Sequence, residues 1–158
     1  MSAFLIYLLL PLISFFSPRE TSLCNQSNTS FNAGERIRYT IYYNVVGLYV
    51  NAGNAEFITQ VGNFNGASTY TFTANGSSNS EYDWIFKVRD KYESVVDAKT
   101  LLPYQFTRQI NEGSFHKTES IQFNQKNRTA TTSTTPGVFK TADCTYDVIS
   151  AIYASRNI

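Results

Sequence analysis

From Glu35 to Ser133 apolar and polar residues alternate with period two, broken by turn-forming residues at strand-length intervals. Ile37, Tyr39, Ile41, Tyr43 and Val45 alternate with Arg38, Thr40, Tyr42 and Asn44, which predicts a first strand. Tyr49 to Gln60 reads as a second strand, with Gly53 marking a bulge or a close backbone approach. Gly62-Asn63-Phe64-Asn65-Gly66 turns into a third strand that puts Tyr70, Phe72 and Ala74 on one face. After a loop at Asn75–Ser80, strands are predicted at about Asp83–Asp97, Leu101–Ile110 and Ser114–Phe123. Asn124 to Asn127 turns into a short polar strand, and Thr129 to Pro136 reads as a Thr-rich connector. The period then changes. With Asp143 as N-cap, Asp147 in the first turn, and Val148, Ile149, Ile152 and Tyr153 on one stripe, a helix is predicted from Cys144 to about Ser155. The expected fold class is all-β with one C-terminal helix, built as an antiparallel curved sheet or incomplete barrel.

The strand registers carry the most specific expectation. Trp84, Phe86, Val88, Tyr92 and Val96 share the even-numbered, core-facing side with Asp90, and Leu102, Tyr104, Phe106 and Ile110 share it with Arg108. A three-residue loop at Ala98-Lys99-Thr100 sets Val96 against Leu102, Tyr92 against Phe106 and Asp90 against Arg108. A two-residue Glu112-Gly113 turn then sets Ile110 against Phe115 and Tyr104 against Ile121, with Lys117 and Glu119 beside Arg108. Asp90, Arg108, Lys117 and Glu119 are therefore expected to converge on one otherwise apolar face, their formal charges cancelling. Three readings stay open: a satisfied ion-pair network, a polar lining that orients a ligand's polar end at a cavity mouth, or a one-residue slip that turns the set to solvent.

Composition narrows the classes. The 158 residues suit a single domain. A net charge of +1 leaves no electrostatic footprint for nucleic acid or an anionic membrane. Charged residues at 16% and aromatics at 15% argue against disorder and favour pleated strands. Ala3 to Phe16 is apolar apart from Ser14, too short for a bilayer span but the length of a secretory h-region. Residues 1–22 are accordingly expected to be a signal peptide, which places the protein in the periplasm or at the outer membrane, with no transmembrane span in the mature chain. No Lys or Arg precedes the run, and a hydrophobic first strand or core helix is the alternative. For Cys24 and Cys144, one disulfide closing a long loop fits an exported chain. A lipid-modified Cys24 is a rival disfavoured by the bulky Leu23, and two unpaired buried thiols are a third reading.

Chemical motifs are few. His116 is the sole histidine, so no multi-histidine metal site exists, and the cysteines lack zinc spacing. No phosphate-cradling glycine loop, G-x-S-x-G or EF-hand loop occurs. Ser114-Phe115-His116-Lys117 spells S-x-x-K, but positions three apart on a strand point to opposite faces. Ser114 and His116 share a face without a carboxylate to orient the ring, so His116 reads as a surface residue. No catalytic residue, metal or cofactor is expected.

Four strings together are diagnostic: FNAGERIRYTIYYN at Phe31–Asn44, DWIFKVRDKYESVVD at Asp83–Asp97, LLPYQFTRQINEG at Leu101–Gly113 and CTYDVISAIYASRNI at Cys144–Ile158. The chain resembles the domain of unknown function family 3108, exported proteins of Bacteroides-type Gram-negative bacteria, from Cys24 onward. The resemblance implies a β-rich, barrel-like envelope fold and brings no established activity or catalytic residue. Members of that family continue beyond the position of Ile158, so residues 23–158 are expected to form one envelope domain shortened at its C-terminus. The leading functional expectation is non-enzymatic binding of a lipid or glycolipid inside the curved sheet, motivated by its aromatic inner face and the charges at its centre. A structural protein that binds an envelope partner is the alternative, and a hydrolytic enzyme using Asp90, Glu119 or Lys117 is the third.

Overall fold

The computed structural model describes Cys24 and residues 26–158; the expected signal peptide at residues 1–22 lies outside the described residues. The alternating pattern produces eight strands: β1 (Arg36–Val45), β2 (Leu48–Phe64), β3 (Ala67–Ser78), β4 (Arg89–Asp97), β5 (Pro103–Glu112), β6 (Phe115–Asn124), β7 (Thr129–Thr132) and β8 (Phe139–Lys140). They form one antiparallel sheet in sequence order. β1 and β8 end it without pairing to each other, so the sheet is open rather than a closed barrel. The sequence pattern lacks the two-residue β8, and β7 occupies what reads as the start of the Thr-rich connector.

One face is apolar and the other polar. Phe57 pairs with Ala74, Phe72 with Ser94 and Ser94 with Phe106, which brings their side chains onto a common inner face. The outer face carries ion pairs such as Arg38 with Glu56 at 2.6 Å and Lys91 with Glu93 at 3.2 Å. Such a sheet needs a cover over its apolar side. Over the middle of β3 and β4 that cover is α1 (Val148–Ser155), whose Tyr153 ring stacks on Phe72 with centroids 3.8 Å apart. Phe31, from the segment before β1, meets both rings edge-on at 5.2 and 5.3 Å. Arg156 lies across Phe31 and Tyr153 and pairs with Glu35 at 2.6 Å. The two ends of the chain thus clasp each other on the sheet, and the disulfide Cys24–Cys144 joins residues 120 apart in sequence.

The helix starts later than Asp143. Cys144 has φ +55 and is tied to Cys24, which keeps it out of helical geometry. Asp147 is the cap instead: its carboxylate accepts the Ile149 and Ser150 N–H groups at 2.9 and 3.0 Å, and Ser94 on the sheet donates to it at 2.6 Å. Asp143 pairs with Arg128. The buried stripe is Ile149, Ser150, Tyr153 and Ala154, so Val148 and Ile152 are exposed, contrary to the sequence expectation.

The register between β4 and β5 also departs from expectation. The connecting loop has five residues, Ala98–Leu102, and the ladder beside it is bulged at Val95/Val96. Asp97 organises this loop by accepting the Lys99 and Thr100 N–H groups and the Tyr104 hydroxyl, while Leu101 is fully buried with φ +58. Tyr92 consequently faces Arg108 and Ser94 faces Phe106, two residues from the expected register. Between β5 and β6 the turn residues are Gly113 and Ser114, so Glu112 pairs with Phe115 and Ile110 with Lys117. A two-residue shift preserves which face each side chain occupies, so the inner-face assignment survives for β6 and for Phe106 and Arg108 of β5. On the loop side of the bulge, however, Pro103 rather than the expected Leu102 faces Val96.

Truncating the stack with Phe72→Ala is expected to lower stability by about 3–5 kcal/mol in denaturant melts; a loss below about 1 kcal/mol would show that the clasp does not depend on this ring. The Asp97 carboxylate raises the Tyr104 phenol from 10.0 to about 12. A raised value favours the neutral form in the folded state, so this contribution is complete below pH 10 and disappears as pH rises through about 12. In the Tyr104→Phe variant, the corresponding part of the alkaline fall in Tm is expected to vanish.

Candidate functional site

Beyond α1, toward the Ser78 end of β3, the inner face is covered by a different device. The expected strand from Asp83 is instead a 3-10 turn (Ser80–Tyr82) continuing to Phe86, with Ile85 and Phe86 N–H groups bonded to the Tyr82 carbonyl. Capping by Asn79 and the turn bonds to the Tyr82 carbonyl hold Trp84-Ile85-Phe86 out of any strand ladder. Trp84 and Phe86 are 82% and 54% exposed rather than core.

This cap is fastened at both ends. Asn79 caps the turn by accepting the Glu81 N–H, and its own backbone and side-chain N–H groups bond the Ala52 and Asn51 carbonyls. Those carbonyls are freed by a bulge in β2, where Ile41 faces Gly53 and Tyr42 faces Asn51. Gly53 is required there, since a Cβ would sit 2.2 Å from the Ser77 carbonyl oxygen. The bulge and close approach expected at Gly53 both occur. At the far end, Asp83 takes Ser78 Oγ and both terminal nitrogens of Arg89, at 2.5 to 3.1 Å. Ser78 lowers the Asp83 pKa, reinforced by Arg89, so the carboxylate stays charged. The Phe86 ring lies against Gly113, and Val88 bridges to Glu112, so the cap spans from β3 to the β5–β6 turn.

Between cap and sheet lies a cavity of about 530 Å3, walled by Ile41, Tyr43 and Val50 from β1 and β2 and by Tyr82, Ile85 and Phe86 from the cap. This volume lies within the range of small-molecule sites. The wall is apolar, with no ionisable side chain at neutral pH among its residues.

The predicted polar cluster lies elsewhere. Arg108 donates to Glu119 through Nε at 2.7 Å and Lys117 Nζ stands 3.6 Å away, while Thr132 and Thr134 donate to its other oxygen at 3.2 and 2.8 Å. Thr134 holds the Glu119 carboxyl below its ordinary value; burial opposes this, and Arg108 and Lys117 reinforce it. Asp90 does not join them. The two-residue shift places it beyond the β4–β5 ladder, where it accepts the Asn111 N–H at 2.8 Å. None of Asp90, Arg108, Lys117 or Glu119 lines the cavity. His116 is exposed beside Asn111. Among the described residues no three His, Cys, Asp or Glu side chains group as metal ligands, and no helix is long and apolar enough to cross a membrane.

Fold and site together define a one-sheet β protein with a capped apolar pocket. The chain belongs to the family described as Protein of unknown function (DUF3108), whose model matches residues 38–158. No curated protein and no solved structure matches it.

For Glu119 the sign of the pH effect is fixed. Its folded pKa lies below the ordinary 4.5, so the network's contribution is complete above that value and is lost as pH falls through the lower folded one. Glu119→Gln is expected to lower stability at neutral pH by about 1–3 kcal/mol and to flatten the acid limb. An acid limb identical to wild type would remove Glu119 from the acid response.

Proposed function

We propose that this protein binds an apolar or amphipathic ligand, an acyl chain of a lipid or glycolipid, in the capped cavity, without catalysis, and that it does so outside the cytoplasm in the cell envelope. The observation that carries the reading is the cavity of about 530 Å3 with an apolar wall, kept open because its cap is anchored by Asn79 and by Asp83–Arg89 instead of packing down. Such a wall solvates hydrocarbon and offers little to acid–base chemistry, which favours a binder over a hydrolase. The disulfide is compatible with an oxidising compartment and so with export. The polar end of an amphipathic ligand has no charged partner in the wall, so specificity is expected to lie in chain length rather than headgroup.

A homologous series of saturated fatty acids, titrated by calorimetry, should bind about fourfold more tightly per added CH2 until the cavity is full. Ile41→Asp places a charge in the wall at a partly exposed edge position and should weaken binding tenfold or more without loss of the β-sheet circular dichroism signal. Affinity independent of chain length, or undiminished binding by this variant, sinks the proposal.

A further inference from the structure

The β1–β2 hairpin beside the cavity has an unusual tip. Its turn residues are Val46 and Gly47, both left-handed with φ +51 and +84. The next hairpin uses Asn65-Gly66 in the same conformation, with φ +50 and +87, the pairing that this turn favours. A β-branched residue is strained there, and Val46 gains no contact in return, being 99% exposed. Local stability is therefore given up to hold an apolar side chain at the outermost point of the hairpin.

The surroundings match it. No charged residue occurs between Tyr39 and Ala55. Leu48, Tyr42, Tyr43 and Tyr49 are exposed on the same hairpin, and Trp84 and Ile85 are exposed on the cap. Tyr43 and Ile85 also line the cavity, so the inner face of the hairpin and the cap adjoin there, while Tyr42 and Tyr49 lie on the hairpin's other face behind the Val46 tip. Tyrosine and tryptophan at the margin of an aliphatic tip match a membrane–water interface, where an apolar body meets a wet rim. Charge decides which membrane. On the cap Asp83 is neutralised by Arg89, and Glu81 is balanced by Lys87, so the patch as a whole is neutral. It complements a zwitterionic surface rather than an anionic one, which would call for a basic cluster.

We infer that the Val46 hairpin tip and the Trp84 cap form a docking surface for a zwitterionic lipid bilayer, seating the cavity beside the lipid. This goes beyond ligand binding and is separable from it, since a protein can bind free fatty acid without docking, or dock without binding one.

Trp84 is the sole tryptophan, so its fluorescence reports the patch directly. The full chain is mixed with phosphatidylcholine vesicles free of fatty acid. The expected result is a blue shift of Trp84 emission, quenching by brominated acyl chains, and co-sedimentation that persists at high salt. Val46→Asn should keep or raise Tm, because it suits the turn, yet weaken vesicle partitioning about tenfold, the loss expected when a valine-sized side chain no longer leaves water. Val46→Asp should abolish partitioning while leaving the affinity for free fatty acid unchanged. Unshifted emission overturns the inference. So does binding that requires anionic lipid and dissolves in salt, or a dimer in sedimentation that Val46→Asp dissociates, which would make a second copy the occupant. Wild-type partitioning by Val46→Asn overturns it as well.

Discussion

Tyr153 stacked on Phe72 sets the arrangement of everything else on the inner face. An open sheet with one apolar side requires a cover, and this stack fixes where the helix can provide it. The Asp147 cap ties the helix start to Ser94 at the middle of β4, and Arg156 ties its end to Glu35 before β1. A helix of eight residues held at these points reaches only part of the sheet. The Ser78 end of β3 is left to the cap, which rests on hydrogen bonds rather than on packed side chains. A cavity follows from that division: one end is sealed by aromatic packing, the other is bridged by a polar-anchored strap.

Backbone irregularities do the positioning. The bulge opposite Ile41 and Tyr42 frees two carbonyls, and Asn79 takes both, so a defect in the β1–β2 ladder becomes the anchor for the cap. Gly53 makes this possible because only a residue without Cβ tolerates the Ser77 carbonyl at that distance. The strained Val46 and the buried left-handed Leu101 show the same logic with opposite outcomes. Leu101 is repaid by complete burial in the core, whereas Val46 faces water.

The alternation of apolar and polar residues made the sheet, its inner face and the role of Gly53 legible. Face assignment tolerated the register error beyond the Val95/Val96 bulge because loop and bulge together moved the pairing there by two positions, which keeps Phe106 and Arg108 on their side. On the loop side of the bulge the shift is one position, and Pro103 faces Val96 in place of Leu102. The same shift separated Asp90 from Arg108, because contacts between particular residues depend on register itself and not on its parity. The helix start was misplaced because Asp143 and Asp147 both suit an N-cap. The left-handed, disulfide-tied Cys144 between them decides the matter, and cap preference alone does not carry that information.

The cavity was not legible from charge, since sequence reasoning sought a site among ionisable residues and found an ion-pair network remote from it. The signals that pointed to it were absences and repetitions: the uncharged run Tyr39–Ala55, and the triplet Trp84-Ile85-Phe86 that no one-sided strand could bury. Both are places where local preference is overridden, one by an exposed valine in a turn that wants asparagine and the other by an exposed tryptophan. Sequences that satisfy local rules nearly everywhere depart from them chiefly where something other than folding is at stake. Here the two departures adjoin the same cavity, while the departure at Leu101 is matched by complete burial and the caps of α1 and the outer ion pairs follow local preference. That coincidence supports the binding and docking proposed for the Val46 end of the molecule, while the Arg108–Glu119 network links side chains of β5, β6 and β7 away from it.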